Sequence, residues 1–208
     1  MSDTVVHVID DDDAARDSLE FLLRSADFTV ATYDSGTAFL GALPHIAQGC
    51  IVTDVRMPGL SGIELLRHLK GAAVNLPVIV VTGHGDVPIA VEAMKLGAVE
   101  FFEKPFDGDK MIAAVQTALN DWRKNADRDA ERKEIQERLA TLTPRECDVL
   151  KGLVAGNPNK VIAYELGISP RTVEIYRANV MTKMKSGSLS ELVRMTLYAG
   201  DAGLVSLG

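Results

Sequence analysis

Short apolar runs rich in β-branched residues alternate with helix-like segments five times over the first 120 residues. The runs read, in order, TVVHVI, FTVATY, CIVTDV, PVIVV and EFF. Predicted helices follow them at about 12–25, 35–43, 61–70, 86–96 and from 107 onward. Strands that alternate with helices through short connections are typical of a parallel sheet covered by helices on both faces. The pattern predicts a doubly wound, five-stranded α/β domain over residues 1–120.

The last third of the chain has a different pattern. Thr143, Pro144 and Glu146 fit the N-cap, first and third positions of a capping box, which predicts a helix that begins there. Turns that contain glycine, asparagine or proline then divide the sequence into short helical segments. These segments lie at about 144–155, 159–166, 170–185 and 189–199. We therefore expect a small all-α domain over residues 141–208.

The charge distribution supports two domains with different partners. Residues 1–120 contain 8 Lys and Arg against 17 Asp and Glu, a net charge of −9, whereas residues 141–208 have a net charge of +2. Residues 121–140 are charged but balanced, and their composition predicts an exposed helical linker. A flexible charged tether is the alternative, because such a composition alone cannot bury a core.

The sequence favours a cytoplasmic protein without disulfides. No apolar stretch approaches the roughly 18 residues that a membrane-spanning helix needs, and the start MSDTVVHVID lacks the basic segment and cleavage site of an export signal. Cys50 and Cys147 lie far apart in different surroundings. We expect both to be buried free thiols.

Polar side chains stand where the predicted strands end. Asp10 and Asp11 follow the first strand, Asp54 ends the third, and Thr82 and Lys104 end the fourth and fifth. The carboxyl ends of parallel strands meet at one rim, so these side chains are expected to converge. Three clustered carboxylates repel one another unless a cation neutralises them, and oxygen ligands suit Mg²⁺. The rim therefore predicts a site for Mg²⁺ and a phosphoryl group.

The four consecutive aspartates of VIDDDD divide into two pairs. Asp12 and Asp13 stand at the start of the first predicted helix, where carboxylates cap free N–H groups and meet the positive end of the helix dipole. We expect these two to cap the helix, with tuning of metal affinity as the alternative. Asp10 and Asp11 are expected to belong to the site.

The motifs VIDDDD, CIVTDVRMPGLSG, VVTG and FFEKPF, in this order and spacing, resemble the receiver domain of two-component response regulators. The resemblance implies the strand order 2-1-3-4-5. It also implies that Asp54 is the phosphoacceptor, a nucleophilic carboxylate that forms an aspartyl phosphate. The implied Mg²⁺ ligands are Asp11 directly, Asp10 through water, Asp54, and the main-chain carbonyl of Arg56.

The same resemblance implies a switch. Lys104 would pair with the phosphoryl oxygens, and the bond before Pro105 is usually cis in this family. Thr82 would hydrogen-bond the phosphate, and Phe101 would follow it inward. The resulting change is expected to create a dimer through the fourth helix and fifth strand, at Val87, Val91, Lys95 and Glu100.

The predicted helix at 170–185 has two faces. At 100° per residue, one side collects the apolar positions Val173, Tyr176, Val180 and Met184. The other side collects Arg171, Glu174, Ile175, Ala178, Thr182 and Lys185. A face that mixes charge with small and apolar groups suits a helix in the DNA major groove. A three-helix protein-interaction domain is the alternative.

The segments LTPRECDVLKGLVAG, NKVIAYELGIS and RTVEIYRANVMTKM resemble the LuxR-type helix-turn-helix. The resemblance implies phosphate contacts at Lys160, Arg171, Thr172, Arg177, Asn179 and Lys183. It places three residues toward the bases, namely Glu174, Ile175 and Ala178. Because its net charge is small, a single module is expected to bind DNA weakly and to gain affinity from pairing.

A receiver joined to a LuxR-type module implies a response regulator, not an enzyme. Such a protein takes a phosphoryl group from a sensor histidine kinase, dimerises, binds promoter DNA and activates transcription by RNA polymerase. The motifs as a set also resemble the FixJ-type nitrogen-fixation regulators. Two alternatives are a DNA-binding protein whose receiver is only a dimerisation scaffold, and a protein-binding adaptor in place of the DNA-binding module.

Overall fold

A computed structural model describes residues 4–46, 48–83 and 87–200. The chain divides into two compact units, Met1–Lys124 and Asn125–Gly208. The boundary falls within one helix, Gly108–Leu139, so this helix contributes residues to both units.

The first unit is a five-stranded parallel sheet. Its strands are β1 (Val5–Ile9), β2 (Thr29–Tyr33), β3 (Gly49–Asp54), β4 (Val78–Thr82) and β5 (Glu100–Glu103). The strand order is β2-β1-β3-β4-β5, and each neighbouring pair is parallel. The predicted doubly wound fold and its strand order are confirmed.

Helices cover both faces of this sheet. They are α1 (Asp13–Ser25), α2 (Gly36–Ala42), α3 (Gly62–Gly71), α4 (Val87–Leu96) and α5 (Gly108–Leu139), and a short 3₁₀ turn, Leu43–His45, follows α2. On one face, Leu23 of α1 and Met111 of α5 pack with β-strand side chains. On the other face, a second core cluster contains Phe39 of α2, Leu65 of α3 and Ala93 of α4.

The start of α1 separates the two pairs of aspartates. Asp12 is the N-cap, and its carboxylate accepts a hydrogen bond of 2.9 Å from the backbone N–H of Ala15. Asp13 lies in the first turn, where its negative charge meets the helix dipole. The predicted capping role is confirmed for Asp12, and Asp13 lies in the first turn of the helix as predicted.

The second unit is all-α. After the end of α5 it contains α6 (Pro144–Val154), α7 (Asn159–Leu166), α8 (Pro170–Lys183) and α9 (Leu189–Ala199). The capping box of Thr143 and Glu146 is present at the start of α6, as predicted. Ile135 and Leu139 of α5 are buried in the same core as Val173 and Val180 of α8. The end of the charged segment is therefore part of this unit's core.

Two further sequence predictions concern membrane-spanning helices and the two cysteines. Within the described ranges, no helix has both the length and the apolar character that crossing a bilayer requires. Cys50 and Cys147 are both buried with free thiols, and burial raises the pKa of Cys50 to about 12.

Candidate functional site

The carboxyl ends of the parallel strands meet at one rim of the sheet, as the strand pattern predicts. Asp10 follows β1, Asp54 ends β3, Thr82 ends β4 and Lys104 follows β5. Asp10 is 5% exposed, Asp54 is 7% exposed and Thr82 is fully buried. Two carboxylates are thus largely withdrawn from water, where an unpaired charge is costly.

Lys104 joins the two buried carboxylates. Its ammonium group lies 2.7 Å from Oδ2 of Asp10 and 2.8 Å from Oδ1 of Asp54. Burial lowers the pKa of Lys104, but the hydrogen bonds from its ammonium group to Asp10 and Asp54 raise it by more, so the pKa lies above its usual value. The backbone N–H of Lys104 also donates to the carbonyl of Thr82 at 2.7 Å, and the bond before Pro105 is cis.

The main chain fixes the other carboxylate oxygens. Oδ2 of Asp54 accepts a hydrogen bond from the backbone N–H of Arg56 at 2.5 Å. Oδ1 of Asp10 accepts one from the backbone N–H of Asp12 at 3.0 Å. Each carboxylate therefore has one oxygen on the lysine and one on a backbone donor, which fixes its orientation.

Gly62 belongs to this site, although the sequence motifs did not single it out as a site residue. A Cβ atom at Gly62 would lie 2.2 Å from the carbonyl oxygen of Asp54, and the N–H of Gly62 donates to the carbonyl of Val55 at 3.0 Å. Only glycine allows α3 to begin this close to β3. The signal in the sequence was the glycine beside the capping residue Ser61.

The other predicted site residues lie around this centre. Asp11 and Arg56 are exposed next to the buried pair. Phe101 is half-buried against the cluster on the α3 and α4 face, and it pairs in register with Val80 of β4. The structure thus places Thr82 and Phe101 on adjacent strands.

The oxygen donors at the rim are of the type that a hard cation prefers. Asp10 and Asp54 converge there, although in this geometry both bind Lys104. Among the described residues, no three His, Cys, Asp or Glu side chains lie together as a metal-binding group. The donor chemistry fits Mg²⁺, and the ligand set predicted from the sequence stays a prediction.

The tight turn between α7 and α8 has the expected form. Gly167 ends α7 with φ of 66°, a left-handed conformation that favours glycine. Ser169 caps α8, and its hydroxyl accepts from the backbone N–H of Thr172 at 3.1 Å.

The two predicted faces of α8 differ in burial. Val173, Val180 and Met184 are fully buried, and Tyr176 is half-buried against the same core. On the other face, the exposed residues are Arg171, Glu174, Ile175, Ala178, Thr182 and Lys185. Lys160 and Asn179 are exposed as well, whereas Thr172 and Arg177 are half-buried. The pattern of burial agrees with the predicted core face.

Lys183 differs from the other predicted phosphate contacts. Its ammonium group lies 2.6 Å from Oε2 of Glu146 and 3.2 Å from the carbonyl oxygen of Thr141. Glu146 is only 3% exposed. Sequence position gave no sign of this ion pair, because its partners are 37 residues apart.

The structure and sequence match known families over both units. The family described as "Response regulator receiver domain" matches residues 6–116, and "Bacterial regulatory proteins, luxR family" matches residues 140–196. The transcriptional regulatory protein FixJ of Bradyrhizobium diazoefficiens is 56% identical over 195 residues, which cover 94% of this chain and 95% of FixJ. The response regulator protein TodT of Pseudomonas putida is 43% identical over 207 residues, covering 97% and 90%.

Solved structures agree. Full-length FixJ from B. japonicum is 55% identical, with a TM-score of 0.62, and the match covers 96% of this chain and 98% of that one. The response regulator StyR is 39% identical, with a TM-score of 0.85 and coverage of 94% and 99%. The alternative of a receiver that is only a scaffold does not fit relatives named as response regulators and transcriptional regulators. The chain belongs to the transcriptional response regulators that join a receiver domain to a LuxR-type DNA-binding domain.

Proposed function

We propose that this chain is a phosphorylation-dependent transcriptional activator whose phosphoacceptor is Asp54. The observation that carries the proposal is the environment of this carboxylate. Asp54 ends a buried strand, its two oxygens are fixed by Lys104 and by the backbone of Arg56, and the carboxylate of Asp10 lies on the same ammonium group.

The chemistry is a phosphoryl transfer from a sensor histidine kinase. One oxygen of the Asp54 carboxylate attacks the phosphorus of a phosphohistidine. The new O–P bond forms as the P–N bond breaks, and the electron pair of that bond leaves with the imidazole nitrogen. Lys104, which already binds Asp54, then pairs with a phosphoryl oxygen and offsets part of the added charge.

Asp10, Asp11, Asp54 and the carbonyl of Arg56 would hold Mg²⁺ at this rim. When bound, the ion supplies charge neutralisation of the phosphoryl oxygens during transfer. Lys104, which Asp10 also binds, orients Asp54, and Gly62 lets α3 approach the backbone of Asp54.

Phosphorylation is proposed to create a homodimer through α4 and β5. The phosphoryl group adds charge and strong acceptors, which draw the hydroxyl of Thr82 toward it and allow Phe101 to turn inward. The surface next to these residues is apolar: Val87 is 73% exposed, Val91 47% and Met94 49%. Lys95 and Glu100 flank it. Exposed apolar side chains that lie together are typical of an interaction surface.

The proposed output is promoter binding by α8. Glu174, Ile175 and Ala178 would face the bases, while Lys160, Arg171, Thr172, Arg177 and Asn179 would contact phosphates. Two joined modules would address half-sites about one helical turn apart, and the higher effective concentration would raise affinity. RNA polymerase is the proposed partner at the promoter.

Phosphorylation by a small phosphodonor tests the assignment of Asp54. We expect intact-mass measurement to show one phosphoryl group on the wild type with Mg²⁺, and none with chelator or in Asp54→Asn. Asp27→Asn is the matched control, because Asp27 is exposed in a turn with φ of 63°, a conformation that asparagine tolerates. Label retained on Asp54→Asn would overturn the assignment.

Sedimentation tests the dimer. The wild type should be monomeric before phosphorylation and dimeric after it, and Val91→Asp should block the dimer while it leaves phosphorylation intact. Phe21→Asp serves as control, since this exposed side chain lies on α1, which packs on the other face of the sheet. A phosphorylated protein that stays monomeric yet binds its promoter fully would refute the dimer model.

A further inference from the structure

We propose that Lys183 positions the recognition helix α8 and does not contact DNA phosphate. Together with Arg138, it would hold the C-terminal end of α8 against the segment that joins α5 to α6. The inference rests on the proposed DNA-binding role of α8. It concerns only residues within the second unit.

The first contact that fixes the end of α8 is the ion pair of Lys183 and Glu146. The ammonium group of Lys183 lies 2.6 Å from the Glu146 carboxylate and donates to the carbonyl of Thr141 at 3.2 Å. The same carboxylate oxygen accepts from the backbone N–H of Thr143 at 2.8 Å, as part of the capping box of α6. Burial raises the pKa of Glu146, but hydrogen bonds from Lys183 and Thr143 lower it by more, so the group is ionised at neutral pH.

The second contact that fixes the end of α8 is made by Arg138, near the end of α5. Its guanidinium donates to the carbonyl of Met184 at 3.1 Å and to Glu134 at 2.6 Å. Met184 is the C-cap of α8. The last carbonyl groups of a helix have no partner within the helix, and a cation there satisfies them and opposes the negative end of the dipole.

A DNA phosphate that took over the N–H groups of Lys183 now bound to Glu146 and Thr141 would break this ion pair. Glu146 is 3% exposed, whereas the side chain of Lys183 is 35% exposed. If Lys183 turned toward a phosphate, a buried carboxylate would lose its counter-ion, and an unpaired buried charge is strongly destabilising. Lys183 therefore serves DNA binding indirectly, because it fixes the direction of the helix that carries the exposed face.

The salt dependence of DNA binding separates the two roles. Each phosphate contact adds about 0.9 to the slope of log K against log salt concentration. We would measure binding of the full chain to a short duplex of mixed sequence, since non-specific binding depends on phosphate contacts. Arg171→Met is the reference variant, because Arg171 is exposed at the start of α8.

We expect Arg171→Met to lower the slope by about 0.9. Lys183→Met should weaken binding with the slope unchanged, and Lys183→Arg should restore most of the affinity. A loss of slope in Lys183→Met that matches Arg171→Met would overturn the proposal. So would failure of Lys183→Arg to restore binding while Lys183→Met weakens it.

Glu146→Gln covers the case in which Lys183→Met does not fold. This variant keeps Lys183 and removes its partner. A positioning role predicts weaker DNA binding at an unchanged slope, whereas a phosphate contact predicts equal or tighter binding because the lysine is released, and that result would refute the proposal.

Unfolding of the full chain distinguishes failure of this inference from failure of the proposed function. If Glu146→Gln and Lys183→Met are non-additive in their effect on the unfolding midpoint, the ion pair is supported even when the wild type shows no salt-dependent binding to the duplex. In that event the DNA-binding function of α8 is what fails. Additive effects would refute the ion pair itself.

Discussion

Replacing Lys104 with methionine should destabilise the receiver. The substitution keeps the length of the side chain but leaves Asp10 and Asp54, 5% and 7% exposed, without their shared ammonium group. Removal of one partner from a buried ion pair costs about 3–5 kcal/mol. The Lys104 side chain is 29% exposed, so water screens part of the interaction and we expect about 2–3 kcal/mol. For a domain of this size the loss corresponds to a fall in midpoint temperature of about 8–12 °C.

Fluorescence of Trp122 follows this transition, because it is the only tryptophan of the chain and lies in the first unit. The matched control is Lys110→Met, at an exposed position of α5. Asp54→Asn in the Lys104→Met background should recover part of the loss, since it removes one of the two uncompensated charges. A Lys104→Met midpoint within about 2 °C of the control, which is under 1 kcal/mol, would refute the reasoning.

The pH dependence of the difference in stability between the wild type and Lys104→Met gives a second check. Because the pKa of Lys104 is raised in the folded protein, its ammonium form stabilises the fold fully below the unfolded pKa of about 10.4. That stabilisation is lost only as the pH rises through the folded pKa. The gap between wild type and Lys104→Met should therefore stay constant from neutral pH to about pH 10 and shrink above it.

Other substitutions test other parts of the fold. Gly62→Ala should lower the free energy of unfolding by about 1–3 kcal/mol and slow phosphorylation, because the new Cβ would lie 2.2 Å from a backbone oxygen. Gly71→Ala in the same helix is the control: its Cβ meets nothing within 4 Å, so thermal unfolding should show a neutral or stabilising effect. His7 is buried with a lowered pKa, so below about pH 6.5 the wild type should lose up to about 1.4 kcal/mol of stability per pH unit relative to His7→Leu, and equal pH profiles would contradict this. In denaturant unfolding, a fragment of residues 141–208 should be less stable than one of residues 125–208 by roughly 3–6 kcal/mol, because it lacks two buried apolar side chains of α5, and equal stability would show that they contribute nothing.

The sequence predicted the fold and the composition of the rim because both follow from position along the strands. Parallel strands with both faces buried have few alternatives in topology, and their carboxyl ends must meet. This rule placed Asp10, Asp54, Thr82 and Lys104 at one edge without knowledge of any side-chain geometry. It did not predict that Lys104 binds both carboxylates at once, because that depends on side-chain conformations at the ends of three different strands.

The charged segment shows a different limit. Residues 121–140 were predicted as an exposed helical linker from their composition, and the structure does continue α5 to Leu139. However, Ile135 and Leu139 are buried in the core of the second unit. Their spacing of four residues placed them on one helix face, but two apolar residues among many charged ones were too weak a signal without the partner helices. Arg138 lies between them in the same segment, and the prediction of an exposed linker did not anticipate its hydrogen bond to the carbonyl of Met184.

Each unit contains a lysine paired with a buried carboxylate, Lys104 in the first unit and Lys183 in the second. The surroundings of the carboxylates make the two pairs suited to different roles. Lys104 lies between two carboxylates, so a phosphoryl group added to Asp54 still leaves the ammonium group and Asp10 paired. When Lys104 exchanges an oxygen of Asp54 for a phosphoryl oxygen, the added negative charge lies next to an existing cation. The electrostatic cost of phosphorylation is therefore low. Lys183 pairs with a single carboxylate, that of Glu146, which lies in the first turn of α6 and is almost fully buried. Movement of Lys183 would leave a buried charge unpaired. The first pair is therefore suited to a change of state, and the second to a fixed geometry of α8, the helix that we propose binds DNA.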